Sequence, residues 1–238
     1  MIGGTHGIPT IVLGGTGYVA GELLRLIVGH PALRLEAVMS DSQPGEPVGK
    51  AFPHLAAVLG DTLFSSQADV EALLKQHKSP AMLSAAPHGV SAALIDALLK
   101  VAEASGNTPR VVDISADFRY TSAAAYEAVY RHPHGAPGRI AQFTCAVPEH
   151  LAQVTTPHVA HPGCFATTTL LAVVPLLKLG LVEPTLFVSA VSDGRTVAVM
   201  SVADNLNKGA AGGAVQWMNR LMGLPEAAGL AAPAAGWT

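Results

Sequence analysis

Thr10-Ile11-Val12-Leu13-Gly14-Gly15-Thr16-Gly17-Tyr18-Val19-Ala20-Gly21-Glu22-Leu23 joins an apolar, β-branched run to a glycine turn and then to apolar positions at helical spacing. A strand of that kind followed by an amphipathic helix, from about Val19 to Val28, is the first half of a βαβ unit. The pattern Gly14-x-x-Gly17-x-x-Ala20 departs from the strict G-x-G-x-x-G dinucleotide fingerprint. Its small residues nonetheless let backbone approach a pyrophosphate at a helix N-terminus. The same glycines would also serve a turn needed only for strand-to-helix packing.

Outward from this turn, short β-branched runs alternate with helix-period segments. Strands are expected at Leu33 to Met39, Ala81 to Ala85, Arg110 to Ile114, Gln142 to Val147 and Val159 to His161, and helices near Asp69 to His77 and from Ser91 to Ala104. The fold class that follows is α/β, a Rossmann-type doubly wound and mostly parallel sheet. After Cys164 the organisation changes. One helix is expected to about Leu179, its greasy stretch from Leu170 to Val182 read as buried, since Pro175, Lys178 and Gly180 break it too often to span a bilayer. Thr185 to Val191 and Thr196 to Val202, joined through Asp193-Gly194, read as an antiparallel hairpin. A last helix, Lys208 to Met222, is expected to pack back on the first domain, and Pro225 to Thr238 reads as a mobile Ala/Gly/Pro-rich tail. The domains expected are residues 1–160 for dinucleotide binding, 161–204 as an α+β remnant of a second domain, and 205–238 as the returning helix and tail.

Of the 238 residues, 50% are hydrophobic and 13% charged, enough for a buried core and against disorder. A formal charge of −3, without any run of five like charges, offers no basic field for nucleic acid. Small molecules and other subunits are the expected partners. Two cysteines make no disulfide framework or metal cluster, and His132 and His134 in their Pro/Gly loop lack the usual zinc spacing. No basic, apolar leader opens the chain, so a cytoplasmic location and no membrane contact are expected.

His161-Pro162-Gly163-Cys164-Phe165-Ala166-Thr167 places a thiol at the first turn of a helix. Unpaired amides and the positive end of the helix dipole favour a thiolate there, which makes Cys164 a candidate nucleophile. Cys145, in an apolar strand-like run, reads as core packing. Ser40, Asp41 and Ser42 follow the second strand, where the serines favour a 2′-phosphate and the aspartate a free ribose diol, so the cofactor choice stays open. Pro87 and His88 follow the third strand, at the edge where such sheets bind ligands; His88 reads either as a nicotinamide neighbour or as a helix-start residue. Asp117 and Arg119 either hold a ligand or pair with each other or cap a helix, and Glu149 reads as a helix-start carboxylate.

Taken in order, GGTGYVAGEL (14–23), AAPHG (85–89), VVDISADFR (111–119), AVPE (146–149), HPGCFATTT (161–169) and NLNKGAAGGAVQWMN (205–219) resemble the N-acetyl-gamma-glutamyl-phosphate reductase family from about residue 8 to 224. Single motifs are shared with aspartate-semialdehyde dehydrogenases. The resemblance implies an NADPH-dependent acyl-phosphate reductase of arginine biosynthesis, homo-oligomeric, with Cys164 forming a thioester. It also implies that Gly14, Thr16, Gly17, Tyr18 and Val19 wrap the pyrophosphate and Ser40 approaches the adenosine ribose. Pro87 and His88 would then flank the nicotinamide, with Asn205 and Gly209 folding back onto the cofactor. The chain departs from the family where an α+β domain carrying a general acid/base histidine and basic substrate-binding residues is expected. That interval has shrunk to a turn near Ser192; Ser189 to Arg195 faintly echoes the family's Ser-Gly-x-Ser-Gly-x-Gly-Arg loop, while Asp193-Gly194-Arg195 fits the family's later strand equally well. Impaired turnover follows, together with an exposed ribbon edge prone to self-pairing. An NADP-binding module without catalysis and a lysine-pathway semialdehyde dehydrogenase are the alternatives.

Overall fold

The computed structural model describes residues 7–181 and 201–230. The proposed hairpin and the junction near Ser192 lie largely outside them. Six strands form one sheet: β1 (Ile8–Leu13), β2 (Leu33–Met39), β3 (Ala81–Ser84), β4 (Arg110–Asp113), β5 (Phe143–Cys145) and β6 (His158–Ala160). Their order is β2-β1-β3-β4-β6-β5 and every pairing is parallel. The connections around them are α1 (Tyr18–Val28), α2 (Val48–Ala51), α3 (Ala56–Leu59), α4 (Gln67–Gln76), α5 (Ser91–Ala104), α6 (Ala123–Tyr130), α7 (Cys164–Lys178) and α8 (Gly212–Leu221).

Parallel strands buried on both faces read as continuous apolar runs, and β1 shows why. Ile11 and Leu13 point into a core formed with α4 and α5, whereas Val12 points into a second core with α1 and α8. All three are fully buried. Trp217 and Met218 of α8 join Leu23, Leu24 and Ile27 of α1 in that second core, so the C-terminal helix does return to the first domain. It is also pinned there by polar bonds. The Trp217 indole donates to the Ala146 carbonyl at 3.0 Å, and Arg220 donates to the carbonyls of Pro148 and Leu151 at 2.6 and 2.7 Å.

Because β2 and β3 lie on opposite sides of β1, the chain reverses direction across the sheet after β2, and a crevice opens at the carboxyl ends of β1 and β3. The loops after β1, β2, β3, β4 and β6 all emerge at that one edge, which collects the glycine turn, Ser40, Pro87-His88, Asp117-Arg119 and Cys164.

Three expectations need correction. Cys145 is exposed rather than packed in the core, because it is the last residue of the edge strand. The helix α7 is apolar but not buried: Thr167 is its buried residue, while Phe165 is 89% exposed. Among the described residues its principal packing partner is the turn that precedes α8. The tail is anchored as far as Leu230, since the Asn219 amide donates to the carbonyls of Glu226 and Ala228 at 3.0 and 2.8 Å and Leu230 packs on the core. Among the described residues no helix is long and apolar enough to cross a membrane.

Candidate functional site

The glycine turn is shaped by close approach. Gly14 has φ +74°, and a Cβ on it would fall 2.6 Å from the Ala86 Cα and N, so only glycine lets the first loop lie on the Ala85-Gly89 loop. Gly15 donates to the Met39 carbonyl at 2.8 Å, and its Cβ would strike Val38 at 2.6 Å. Gly17 differs from both. It precedes α1 with ordinary φ −86°, has open space beside its Cα, and supplies no side-chain cap. No acidic residue stands in the first turn of α1, and Thr16, Gly17 and Tyr18 are exposed while Val19 is half-buried. The helix therefore presents uncapped amides and the positive end of its dipole to the crevice, the arrangement that takes a phosphate.

Ser40 stands at the end of β2 but is buried, and its hydroxyl accepts the Gln43 amide at 3.2 Å. The exposed groups at that corner are Asp41, Ser42 and Gln43. Pro87 and His88 are exposed at the end of β3. His88 Nδ1 accepts the Ala116 amide at 2.9 Å, which ties this loop to the one after β4.

The loop after β4 resolves the choice left for its acids and its arginine. Asp117 does not pair with Arg119; it accepts the Gly89 and Ala92 amides at 2.7 and 2.9 Å and so caps α5, with the Tyr126 hydroxyl at 3.3 Å. Asp113, fully buried, accepts from Ser91 at 2.7 Å and from the Ser115 hydroxyl at 2.6 Å, and burial pushes its carboxyl above the usual range. Arg119 reaches across to the cysteine turn instead. It donates to the His161 and Ile114 carbonyls at 3.0 and 2.9 Å, and its guanidinium lies where a Cβ on Gly163 would be.

Cys164 is the first residue of α7, half-buried, behind a Gly163 whose φ of +92° favours glycine. The helix carries no side-chain cap and no acid in its first turn. Opposite the cysteine runs a π-helical turn, Asn207–Ala211, which leads into α8 and packs on both α1 and α7. A Cβ on Gly209 would fall 2.8 Å from the Cys164 Cβ. The C-terminal segment thus walls the thiol with bare backbone while also lying on the helix that carries the glycine turn. Asn205 is exposed just before it, where the Asp204 carboxylate accepts the Leu206 and Asn207 amides at 3.0 and 2.8 Å.

Glu149 does more than start its short 3-10 turn, Pro148–His150. It pairs with Lys208 and accepts from Gln216 at 3.0 Å, joining the AVPE motif to the π-turn. Burial would raise its carboxyl, but Lys208 and Gln216 hold it below the ordinary range. Sequence reasoning missed this knot, and it missed Arg119 on Gly163, because both partners lie far apart along the chain. His132 and His134 turn out to hold a loop: His132 lies against the Tyr126 hydroxyl, and His134 bonds the Asp117 carbonyl and the Ala136 amide. Among the described residues no group of three or more His, Cys, Asp or Glu side chains is placed to hold a metal ion.

Comparison with known proteins identifies the family of the dinucleotide-binding part. Residues 10–159 match the family described as semialdehyde dehydrogenase, NAD binding domain. An N-acetyl-gamma-glutamyl-phosphate reductase from Nitrosococcus oceani is 35% identical over 193 residues, 80% of this chain and 53% of its own. A protein from Thermomicrobium roseum named putative [LysW]-L-2-aminoadipate 6-phosphate reductase is 34% identical over 74% of this chain and 47% of its own. Among solved structures, an aspartate semialdehyde dehydrogenase with NADP from Candida albicans aligns over 73% of this chain and 47% of its own, at 16% identity and a TM-score of 0.49. The chain spans about half the length of the curated relatives it matches. With a parallel sheet, a glycine turn at its switch point and the match over residues 10–159, this chain belongs to the semialdehyde dehydrogenase NAD-binding domain family.

Proposed function

We propose that the chain forms the cofactor-binding and nucleophile-bearing part of an NADPH-dependent reductase that converts N-acetyl-gamma-glutamyl phosphate to N-acetylglutamate 5-semialdehyde, in the cytoplasm. The observation that carries this reading is the position of Cys164, at a helix N-terminus on the same sheet edge as the open glycine turn. Its sulfur would attack the acyl carbon, the carbon–oxygen bond to phosphate would break, and inorganic phosphate would leave behind a thioester on Cys164. The dinucleotide, when bound, supplies a hydride to the thioester carbon, and the carbon–sulfur bond then breaks to return the thiolate and free the aldehyde. The start of α1 after Gly17, with no side-chain cap and no carboxylate in its first turn, suits the pyrophosphate, which Gly14, Thr16, Gly17, Tyr18 and Val19 would wrap. Pro87 and His88 would border the nicotinamide, and the π-turn with Asn205 and Gly209 would close the opposite wall. At the corner beside Ser40, the exposed Ser42 and Gln43 would take the 2′-phosphate of NADP, whereas Asp41, exposed with them, suits a free ribose diol.

Residues 165–204, between the cysteine turn and the returning segment, contain no histidine, where the resemblance expects a general acid/base. Turnover should fall by about 10²- to 10⁴-fold on that account. The same observation favours a second reading, a dinucleotide-binding module without chemistry. Phosphate-dependent reduction of NADP with N-acetylglutamate semialdehyde, run beside Cys164→Ser, separates the two. Slow turnover abolished in the variant supports the reductase. Equal silence in both proteins, with Cys164 no more reactive to iodoacetamide than free cysteine, supports the module. The aminoadipate-type aldehyde, tested alongside, decides the substrate.

A further inference from the structure

His161 is 1% exposed, one residue beyond β6, and takes no part in the chemistry above. Its Nδ1 accepts the Gly163 amide at 3.1 Å, in the turn that delivers Cys164 to α7. The ring's other nitrogen, Nε2, sits where a Cβ on Gly213 would be, with the Lys208 carbonyl oxygen beside the same point; with Nδ1 accepting, Nε2 is the neutral ring's donor and that carbonyl is the acceptor it faces. One ring thus joins the residue before Cys164 to the residue before Gly209, and Gly209 is the backbone in contact with the Cys164 Cβ. Two neighbours hold the ends of this bridge. Arg119 donates to the His161 carbonyl, and Lys208 is clamped by Glu149 and Gln216.

We propose that His161 is a positioning residue for the nucleophile: a neutral Nε2–H strut that locks the Gly163 turn to the π-turn and so fixes the Cys164 thiol against Gly209. Burial first, then the charges of Arg119 and Lys208, hold the ring's pKa at about 4, which keeps it in the neutral form the two hydrogen bonds require. Both bonds are specific to a group that accepts on one side and donates on the other. An aliphatic residue of equal bulk would fill the space and lose the bridge. The proposal rests on Cys164 as the nucleophile for its effect on rate, and not for its geometry.

The test uses the full chain with His161→Ala, His161→Asn and His161→Leu. Asparagine retains a short acceptor for Gly163; leucine retains only bulk. Cys164 acylation by N-acetyl-gamma-glutamyl phosphate is followed by mass spectrometry beside alkylation by iodoacetamide, a small reagent indifferent to the wall. The expected result is acylation down about tenfold or more in the alanine and leucine variants, partly restored by asparagine, with alkylation changed by less than about threefold. Acylation in folded His161→Leu at the wild-type rate would overturn the proposal. Imidazole ¹⁵N shifts and hydrogen exchange of the Gly163 and Gly209 amides in the unsubstituted protein decide the geometry even where variants fail to fold. An Nε2–H tautomer with a protected Gly163 amide supports it, and an Nδ1–H tautomer overturns it. If the unsubstituted Cys164 is not acylated at all, the reductase reading fails while the tautomer result still judges the strut.

Discussion

Gly14→Ala and Gly17→Ala form a pair that separates a glycine needed by the fold from one needed by a ligand. At Gly14 the backbone has φ +74°, which disfavours any L side chain by about 1–2 kcal/mol. The new Cβ would stand 2.6 Å from the Ala86 Cα and N and 2.7 Å from the Ala85 carbonyl carbon. Those are backbone atoms, so no rotamer relieves the overlap, and the loops after β1 and β3 must separate by roughly 0.8 Å to regain ordinary contact at 3.4 Å. Adding strain to lost packing gives a destabilisation of about 2–4 kcal/mol, a fall in Tm of roughly 5–15 °C for a chain of this size. NADP affinity should fall with it. At Gly17 the φ of −86° accepts alanine and nothing lies within 4 Å of the added carbon, so stability should change by less than about 1 kcal/mol. That methyl nevertheless occupies the space above the first amides of α1, and a pyrophosphate seated there would bind about tenfold or more weakly. Differential scanning fluorimetry and isothermal titration with NADP read both quantities. Unchanged NADP affinity in Gly17→Ala, or a Gly14→Ala protein as stable as its parent, would refute the reasoning.

Acid should destabilise the fold before its carboxylates titrate. His158 and His161 are held at about pKa 4, chiefly by burial, against 6.5 in the unfolded chain. The unfolded state therefore binds more protons between those values, so their contribution is fully present above about pH 6.5 and is lost as pH falls toward 4, at about 1.4 kcal/mol per unit for each ring. A Tm that stays level from pH 7 to pH 5 would contradict this. Asp117→Ala should cost about 2–4 kcal/mol, because it leaves the half-buried Gly89 amide and the buried Ala92 amide without an acceptor. In the same variant the Tyr126 phenol, pushed up to about 12 by burial and then by Asp117, should titrate lower in an ultraviolet pH titration.

What the sequence made legible was local. The β1 run, the glycine turn and α1 form a contiguous unit whose apolar period and small residues announce it, and α5 begins and ends where its pattern says. Cys164 at a helix start was readable from Pro162-Gly163 alone. Contacts between distant positions left no such mark: Asp117 caps a helix 25 residues earlier, Glu149 meets Lys208 59 residues later, and His161 faces the Lys208 carbonyl rather than a partner of complementary charge. Cys145 was misread because an apolar neighbourhood does not reveal that a strand lies at the sheet edge. The α7 helix was misread for a related reason, since apolar composition predicts burial only where something packs on it. The short helices α2 and α3 and the 3-10 turn Pro137–Gln142 carry too few residues to show a period.

The proposed reaction requires the Cys164 sulfur to face a nicotinamide ring across the carboxyl edge of the sheet. A crystal structure of this chain soaked with NADP measures that directly. The prediction is pyrophosphate density on the first amides of α1 and the nicotinamide C4 within reach of a thioester carbon on Cys164. Nicotinamide density on the far side of Pro87 and His88, with the sulfur out of reach, would contradict it.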